Sequence, residues 1–282
     1  MRIAVTGAGG QLGAALMTAL GPLHTMVPLG HDQLELGSPA AIDQLVATQA
    51  DLVIHAAAYT NVDGCARDPE LAYRINGLGT QYVALACRRL GAPLVYISTN
   101  EIFPGDADRP YFEYDPARPI NAYGRSKWAG EQVVRELLDR FYIVRVAWLF
   151  GGPRNFVRTV LRLAEQQPEQ GLRMVDDEIG NPTYAPDVAA AVGALIQSNC
   201  YGAYHFVNAE HCSRYDFAQA ILLAAGRGHV PVAPIKLADF RRDSTPPSFA
   251  ALANCAGSAI GIALRPWPDA LAAYLATLHE GA

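Results

Sequence analysis

The stretch that decides the fold is IAVTGAGGQLG, at residues 3–13. A short apolar run ends at Thr6, and glycines follow at positions 7, 10 and 13 before a helical pattern begins. A glycine-rich turn between a first strand and a first helix is the context in which backbone N–H groups bind a dinucleotide pyrophosphate. We therefore predict that Gly7, Gly10 and Gly13 form such a loop. An ordinary glycine-rich turn is the alternative.

The pattern after this stretch repeats strand, helix and strand. Four more runs rich in Val and Ile predict strands that are buried on both faces: 25–29, 52–55, 94–98 and 143–148. Helical patterns lie between them. This alternation predicts an α/β fold, a Rossmann-like doubly wound parallel sheet with helices on both sides.

The second half of the chain is less regular. It predicts helices over 156–166 and 187–198, a strand over 204–207, a helix from Ser213 to Gly226 and a last helix after Pro268. Loops rich in Pro and Gly are predicted at 151–153, 180–186, 231–234 and 246–247. We predict a dinucleotide lobe over 1–150 and a smaller mixed α/β substrate-binding lobe over 151–282. Segments of about 185–210 are candidates to return to the first lobe.

Composition limits the class of protein. With 51% hydrophobic and 17% charged residues, the 282-residue chain is expected to fold compactly, and its net charge of −5 disfavours a nucleic-acid partner. We find no stretch that approaches the ~20 apolar residues of a membrane span. The five cysteines are scattered, so we expect neither disulfides nor a metal site. The chain starts directly with a strand, and a cytoplasmic location is expected.

Residues 123–127 read Tyr-Gly-Arg-Ser-Lys. On a helix, Tyr123 and Lys127 share one face, so the ammonium is expected to lower the pKa of the phenol from about 10. Thr99 follows a predicted strand and can donate a hydrogen bond to a substrate carbonyl. We predict carbonyl reduction by these three residues. The alternatives are a surface Tyr–Lys pair and a hydroxyl that caps a loop.

Two further segments bear on a cofactor. After the third strand, small side chains at Ala56 and Ala57 allow close approach of backbone to cofactor, although a tightly packed turn is the alternative. After the second strand come Gly30 and His31, without the carboxylate that binds the ribose of NAD, which favours NADPH over NADH. The loop contains no lysine or arginine, and Asp32 weakens the preference.

Several long stretches resemble extended short-chain dehydrogenases, most closely the dTDP-4-dehydrorhamnose reductase family. The stretches are TGAGGQLG (6–13), DLVIHAAAYTNVDGCARDPELAYRIN (51–76), STNEIF (98–103), PYFEYDPARPINAYGRSKWAGE (110–131), VRVAWLFG (144–151), NFVRTVLRLA (155–164) and DDEIGNPTYAPDVA (176–189). The resemblance covers nearly the whole chain.

The resemblance implies reduction of the C4 ketone of dTDP-4-dehydrorhamnose to dTDP-L-rhamnose, with NADPH or NADH. It implies catalytic roles for Thr99, Tyr123 and Lys127, a dTDP-sugar as the binding partner and a possible homodimer, and it leaves a magnesium requirement open. It adds further cofactor contacts at Gln11, Leu12, Glu35, Leu36, Ala58 and Thr60, and substrate contacts at Asn100, Trp148, Asn155 and Phe156.

The chain departs from the family pattern on the sugar side. Asn100 and Glu101 stand where the family usually has Asp and Tyr, and Arg214 stands where it commonly has Trp. An Arg that usually precedes a Pro is missing at 245–248. The alternatives are therefore a 4-ketoreductase for another deoxysugar nucleotide, a non-catalytic NADP-binding regulatory subunit, and an epimerase or dehydratase of the extended family.

Overall fold

The computed structural model describes residues 1–279. Its twelve strands are β1 (Arg2–Thr6), β2 (Thr25–Leu29), β3 (Leu52–His55), β4 (Leu94–Thr99), β5 (Phe141–Val146), β6 (Leu149–Phe150), β7 (Leu172–Val175), β8 (Ile179–Gly180), β9 (Thr183–Tyr184), β10 (Gly202–His205), β11 (Cys212–Ser213) and β12 (Val232–Ile235). Its eleven α-helices are α1 (Gln11–Leu20), α2 (Ala40–Val46), α3 (Val62–Arg67), α4 (Pro69–Tyr73), α5 (Gly79–Leu90), α6 (Ala122–Leu137), α7 (Phe156–Gln166), α8 (Ala185–Ser198), α9 (Arg214–Ala224), α10 (Cys255–Ala259) and α11 (Trp267–His279). A π-helical turn (Arg74–Leu78) and 3-10 turns (Asn100–Ile102, Leu237–Asp239) complete the elements.

Six strands form one parallel sheet in the order β10-β5-β4-β3-β1-β2. One face packs on α1 and α8, and the other on α2, α5 and α6. Strands β3 and β4 are buried along their whole length. This confirms the predicted doubly wound sheet. The strand order reverses between β1 and β3, where such folds bind their ligands.

The fifth predicted strand, 143–148, is wrong at both ends. Strand β5 begins at Phe141 and ends at Val146, and Trp148 adopts a left-handed backbone with φ of 40°. The chain turns there because the next two residues form β6, which pairs with β9 instead of the central sheet. Trp148 therefore belongs to a turn at the edge of the cleft.

The second half contains its own apolar core, built mainly from α7, α9 and α11. The predicted loops over 180–186 and 231–234 are wrong in part, because β9, the start of α8 and most of β12 lie within them. Strand β12 pairs with β7 although it contains Pro234, which an edge strand tolerates. The predicted strand 204–207 is shifted to Gly202–His205.

Helix α8 packs against α1, and β10 pairs with β5. The segment that carries them thus lies in the layers of the first sheet. The division of the chain at residue 150 stays a prediction. Within residues 1–279, no helix combines the length and the apolar character that crossing a membrane requires.

Candidate active site

A cleft of about 1440 Å³ opens at the carboxyl ends of the central strands. Its walls come from the segments that follow β1 to β5, so residues far apart in sequence meet there. All the predicted catalytic and cofactor-binding positions line it: Gly7, Gly10, Gln11, Leu12, Gly13, Gly30, His31, Glu35, Leu36, Ala56, Ala57, Ala58, Thr60, Thr99, Tyr123 and Lys127. Each one's contact with a ligand stays a prediction.

The glycine loop is packed too tightly for side chains. Gly7 has a φ of 68°, and a Cβ placed on it would lie 2.8 Å from the Ala57 Cα. A Cβ on Gly13 would lie 2.1 Å from the Gly7 carbonyl oxygen. Helix α1 begins at Gln11 with no side chain capping its first turn. The N–H groups of that turn thus suit the pyrophosphate of a dinucleotide.

The part of the cleft formed by the loop after β2 contains a cation that the sequence did not indicate. Arg74, in the π-helical turn, lines the same cleft as Gly30 and His31. A Cβ placed on Gly37 would lie 3.9 Å from the Arg74 Nε. The loop after β2 has no cation of its own, but the fold brings a guanidinium beside it from 37 residues further along the chain.

Helix α6 presents the predicted Tyr–Lys pair. Asn121 caps its first turn, where its Oδ1 accepts a hydrogen bond from the Gly124 N–H at 2.8 Å. The Lys127 ammonium donates to the Ile97 carbonyl at 2.7 Å and lies 4.2 Å from the centre of the Tyr96 ring. Burial lowers the pKa of Lys127 to about 7, although the negative charge of Glu131 acts to raise it.

The pKa of Tyr123 is raised, first by burial and then by the charge of Glu101. A hydrogen bond with the Thr99 side chain opposes this rise. The predicted lowering is therefore wrong for this structure, because burial and the charge of Glu101 decide the direction of the shift. Tyr123 keeps its proton at neutral pH, which suits a proton donor.

A buried ion pair joins helix α6 to the central sheet. Glu131, one turn after Lys127, accepts two hydrogen bonds from Arg145 on β5, at 3.0 and 2.8 Å. Both side chains are almost fully buried. This pair was not predicted from the sequence, although the four-residue spacing from Tyr123 to Lys127 to Glu131 is visible there.

The sugar-side predictions separate into two groups. Asn100 and Trp148 line the cleft, and the Arg214 guanidinium lies 3.5 Å from the centre of the Trp148 ring. Asn155 and Phe156 are not among the residues that line it. Asn155 caps α7 and donates to the Tyr274 hydroxyl, and Phe156 stacks on Phe217. Their role in substrate binding stays a prediction.

Some lining residues had no signal in the sequence analysis. Tyr59, Pro153 and Arg154 line the cleft, the last two directly before the predicted Asn155.

Residues 1–279 contain no group of three or more His, Cys, Asp or Glu side chains placed to bind a metal ion.

Comparison with known proteins gives a consistent result. A family model described as the RmlD substrate binding domain matches residues 1–280. The chain is 38% identical to the spore coat polysaccharide biosynthesis protein SpsK of Bacillus subtilis, over 97% of this chain and 96% of that protein. It is 37% identical to dTDP-4-dehydrorhamnose reductase of Mycobacterium tuberculosis, over 98% of this chain and 92% of that protein. The crystal structure of dTDP-4-dehydrorhamnose reductase from Bacillus anthracis in complex with NADP matches with a TM-score of 0.93 and 36% identity, over 98% of this chain and 99% of that one. With its glycine loop and its Tyr–Lys helix in one cleft, the chain belongs to the dTDP-4-dehydrorhamnose reductase family.

Proposed function

We propose that this chain catalyses NADPH-dependent reduction of the C4 ketone of dTDP-4-dehydrorhamnose to dTDP-L-rhamnose. The observation that carries the proposal is the meeting of Thr99, Tyr123 and Lys127 with the glycine loop in one cleft. The named activity of the similar proteins supports the choice of substrate.

The reduced nicotinamide supplies a hydride to the ketone carbon when it is bound. Tyr123 donates the proton that the new alkoxide needs, and its raised pKa keeps that proton available at neutral pH. Thr99 hydrogen-bonds the substrate oxygen and orients Tyr123. Lys127 holds the ribose hydroxyls beside the reacting centre.

The preference for NADPH rests on the segment after β2. Gly30 leaves room for a 2′-phosphate, His31 can donate a hydrogen bond to it, and Arg74 adds a permanent positive charge to that end of the cleft. NADH is also accepted, as a weaker substrate, because the Asp32 carboxylate lines the cleft and a carboxylate there can bind the ribose of NADH. A homodimer and a cytoplasmic location are part of the proposal, the first by resemblance to the family.

The test is to mix the purified protein with NADPH and dTDP-4-dehydrorhamnose, follow the loss of reduced nicotinamide and identify the product. Tyr123→Phe should lower kcat by about 10²- to 10⁴-fold, because general acid catalysis contributes that much. Its affinity for NADPH, measured by calorimetry, should stay close to that of the wild type. Near-normal turnover by Tyr123→Phe would contradict the assignment.

A second candidate is a 4-ketoreductase for another deoxysugar nucleotide. Glu101 and Arg214, which depart from the family pattern, both line the cleft and favour this candidate. Turnover on a panel of 4-keto sugar nucleotides separates the two. A non-catalytic binding subunit is disfavoured, because such a subunit has no need of the catalytic trio.

A further inference from the structure

Glu101 is a carboxyl group in the cleft wall that the proposed reaction does not use. It follows the catalytic Thr99 by two residues, and its backbone N–H donates to the Thr99 hydroxyl at 3.2 Å. Its Oε2 accepts a hydrogen bond from the Asn121 side chain at 2.6 Å. Its charge also acts on the Tyr123 phenol. The carboxyl group therefore lies close to the point where the proton is transferred.

The charged groups near Glu101 are already paired with other residues. Arg214 contacts Glu178 at 3.0 Å, and Arg242 contacts Asp63 at 3.3 Å and Glu178 at 4.0 Å. Within residues 1–279, no cation lies within 4.0 Å of the Glu101 carboxylate. A carboxylate has about four acceptor sites, so one amide leaves most of its hydrogen-bonding capacity unused.

The Glu101 side chain is half-buried and lines the cleft, and burial raises the pKa of its carboxyl group. When a ligand closes over a polar group in a cleft and removes its water, a ligand that supplies a hydrogen bond is favoured over one that does not. The unused oxygen sites of Glu101 thus fit a polar substituent of the substrate.

The chemistry of the sugar indicates which substituent this is. Tyr123 protonates the oxygen on C4, and the carbons next to C4 are C3 and C5. In a 4-keto-6-deoxyhexose, C3 carries a hydroxyl group and C5 carries a methyl group. A carboxyl beside Tyr123 is compatible with the hydroxyl and not with the methyl group.

We propose that Glu101 hydrogen-bonds the C3 hydroxyl of the sugar and selects 4-keto sugar nucleotides that carry this hydroxyl over their 3-deoxy analogues. The inference rests on the proposed function and adds a determinant of substrate choice. It also gives the departure from tyrosine at this position a role.

The experiment compares two substrates, dTDP-4-dehydrorhamnose and its 3-deoxy analogue, in three proteins: the wild type, Glu101→Leu and Glu101→Gln. The wild type should favour the 3-hydroxy substrate in kcat/KM by about 10- to 100-fold, as expected for a hydrogen bond to a charged group. Glu101→Leu should abolish this preference by losing activity on the 3-hydroxy substrate alone. Glu101→Gln should keep most of it, because an amide still hydrogen-bonds a hydroxyl.

Two outcomes overturn the inference. Equal losses on both substrates in Glu101→Leu would mean that the residue only supports Asn121 at the start of α6. An unchanged preference would mean that Glu101 does not contact the C3 hydroxyl. Glu136→Leu is the matched control: Glu136 lies on the exposed side of α6, and its replacement should leave the preference for the 3-hydroxy substrate intact. The melting temperature and NADPH affinity of each variant show whether it is folded.

Calorimetry with dTDP-L-rhamnose and its 3-deoxy analogue separates this inference from the proposed function. If the wild type reduces neither dTDP-4-dehydrorhamnose nor its 3-deoxy analogue, the proposed reaction fails. The role of Glu101 is still supported if the wild type binds dTDP-L-rhamnose more tightly than its 3-deoxy analogue and Glu101→Leu abolishes this difference. Equal binding of the two nucleotides by the wild type overturns it.

Discussion

The buried ammonium of Lys127 should lower the free energy of unfolding of this protein at neutral and acidic pH. Burial lowers the pKa of its ammonium from 10.5 to about 7. The unfolded chain therefore binds more protons than the folded chain between these two values, and the stability of the fold rises with pH across that window. Below about pH 7 the full cost applies, about 5 kcal/mol at ~1.4 kcal/mol for each pKa unit.

Lys127→Met removes this cost together with two favourable contacts. The variant loses the hydrogen bond to the Ile97 carbonyl and the position over the Tyr96 ring. These contacts are together worth about 2 to 3 kcal/mol. The variant should thus be more stable than the wild type by about 2 kcal/mol near pH 6, or about 4 to 8 °C in Tm. Near pH 10 it should be the less stable protein, because little of the cost remains there.

The assay is thermal and urea unfolding of both proteins without added nucleotide, over a series of pH values. Lys236→Met is the matched control, because Lys236 is exposed and its pKa is raised by a hydrogen bond to Asp176. A difference in Tm between Lys127→Met and the wild type that does not change with pH would refute the reasoning. The variant should also lose reductase activity, so stability and function should change in opposite directions.

Three other predictions follow from named contacts. Gly13→Ala should abolish NADPH binding in calorimetry, because the new Cβ would lie 2.1 Å from the Gly7 carbonyl oxygen. Gly9→Ala should bind NADPH normally, because a Cβ on Gly9 has nothing within 4 Å. Gly30→Asp should shift the ratio of kcat/KM toward NADH by about tenfold or more, since a carboxylate repels a 2′-phosphate and binds a ribose hydroxyl; an unchanged ratio would show that the loop after β2 does not contact the 2′-phosphate. Arg145→Met should cost about 3 to 5 kcal/mol in urea unfolding, because it leaves a buried carboxylate unpaired; a cost below about 1 kcal/mol would show that water or another cation replaces the guanidinium.

The central sheet was predictable because its signal is local. Strands β2 and β3 match their predicted bounds, since turns interrupt both apolar runs. Strand β3 is buried along its whole length, as predicted, whereas β2 lies at the edge of the sheet and is buried only at Leu29, so its predicted burial on both faces is wrong. Helix α7 also matches its predicted bounds, as Asn155 caps it and its apolar positions recur on one face. In β3 and α7 the apolar pattern of the sequence and the observed burial agree.

The second half was harder because pairing decides its elements. Strands β6, β8 and β9 have two residues each, which is too short for a periodic pattern to be visible. Strand β12 contains a proline and was predicted as a loop, yet it pairs along its whole length with β7. Such strands exist because a partner is present, and the partner is remote in the sequence.

The candidate site shows the same division between local and remote causes. The spacing of Tyr123 and Lys127 follows from the helix, so the sequence alone places them on one face. The protonation state of Tyr123 depends on burial beneath other segments and on the charge of Glu101, 22 residues earlier, and neither can be derived from the helix. Glu131 continues the same face by one more turn and joins it to β5 through Arg145. The face that carries Tyr123 and Lys127 is therefore held by an ion pair to the central sheet, so a substitution of Arg145 in β5 should affect Tyr123 without changing a residue that lines the cleft.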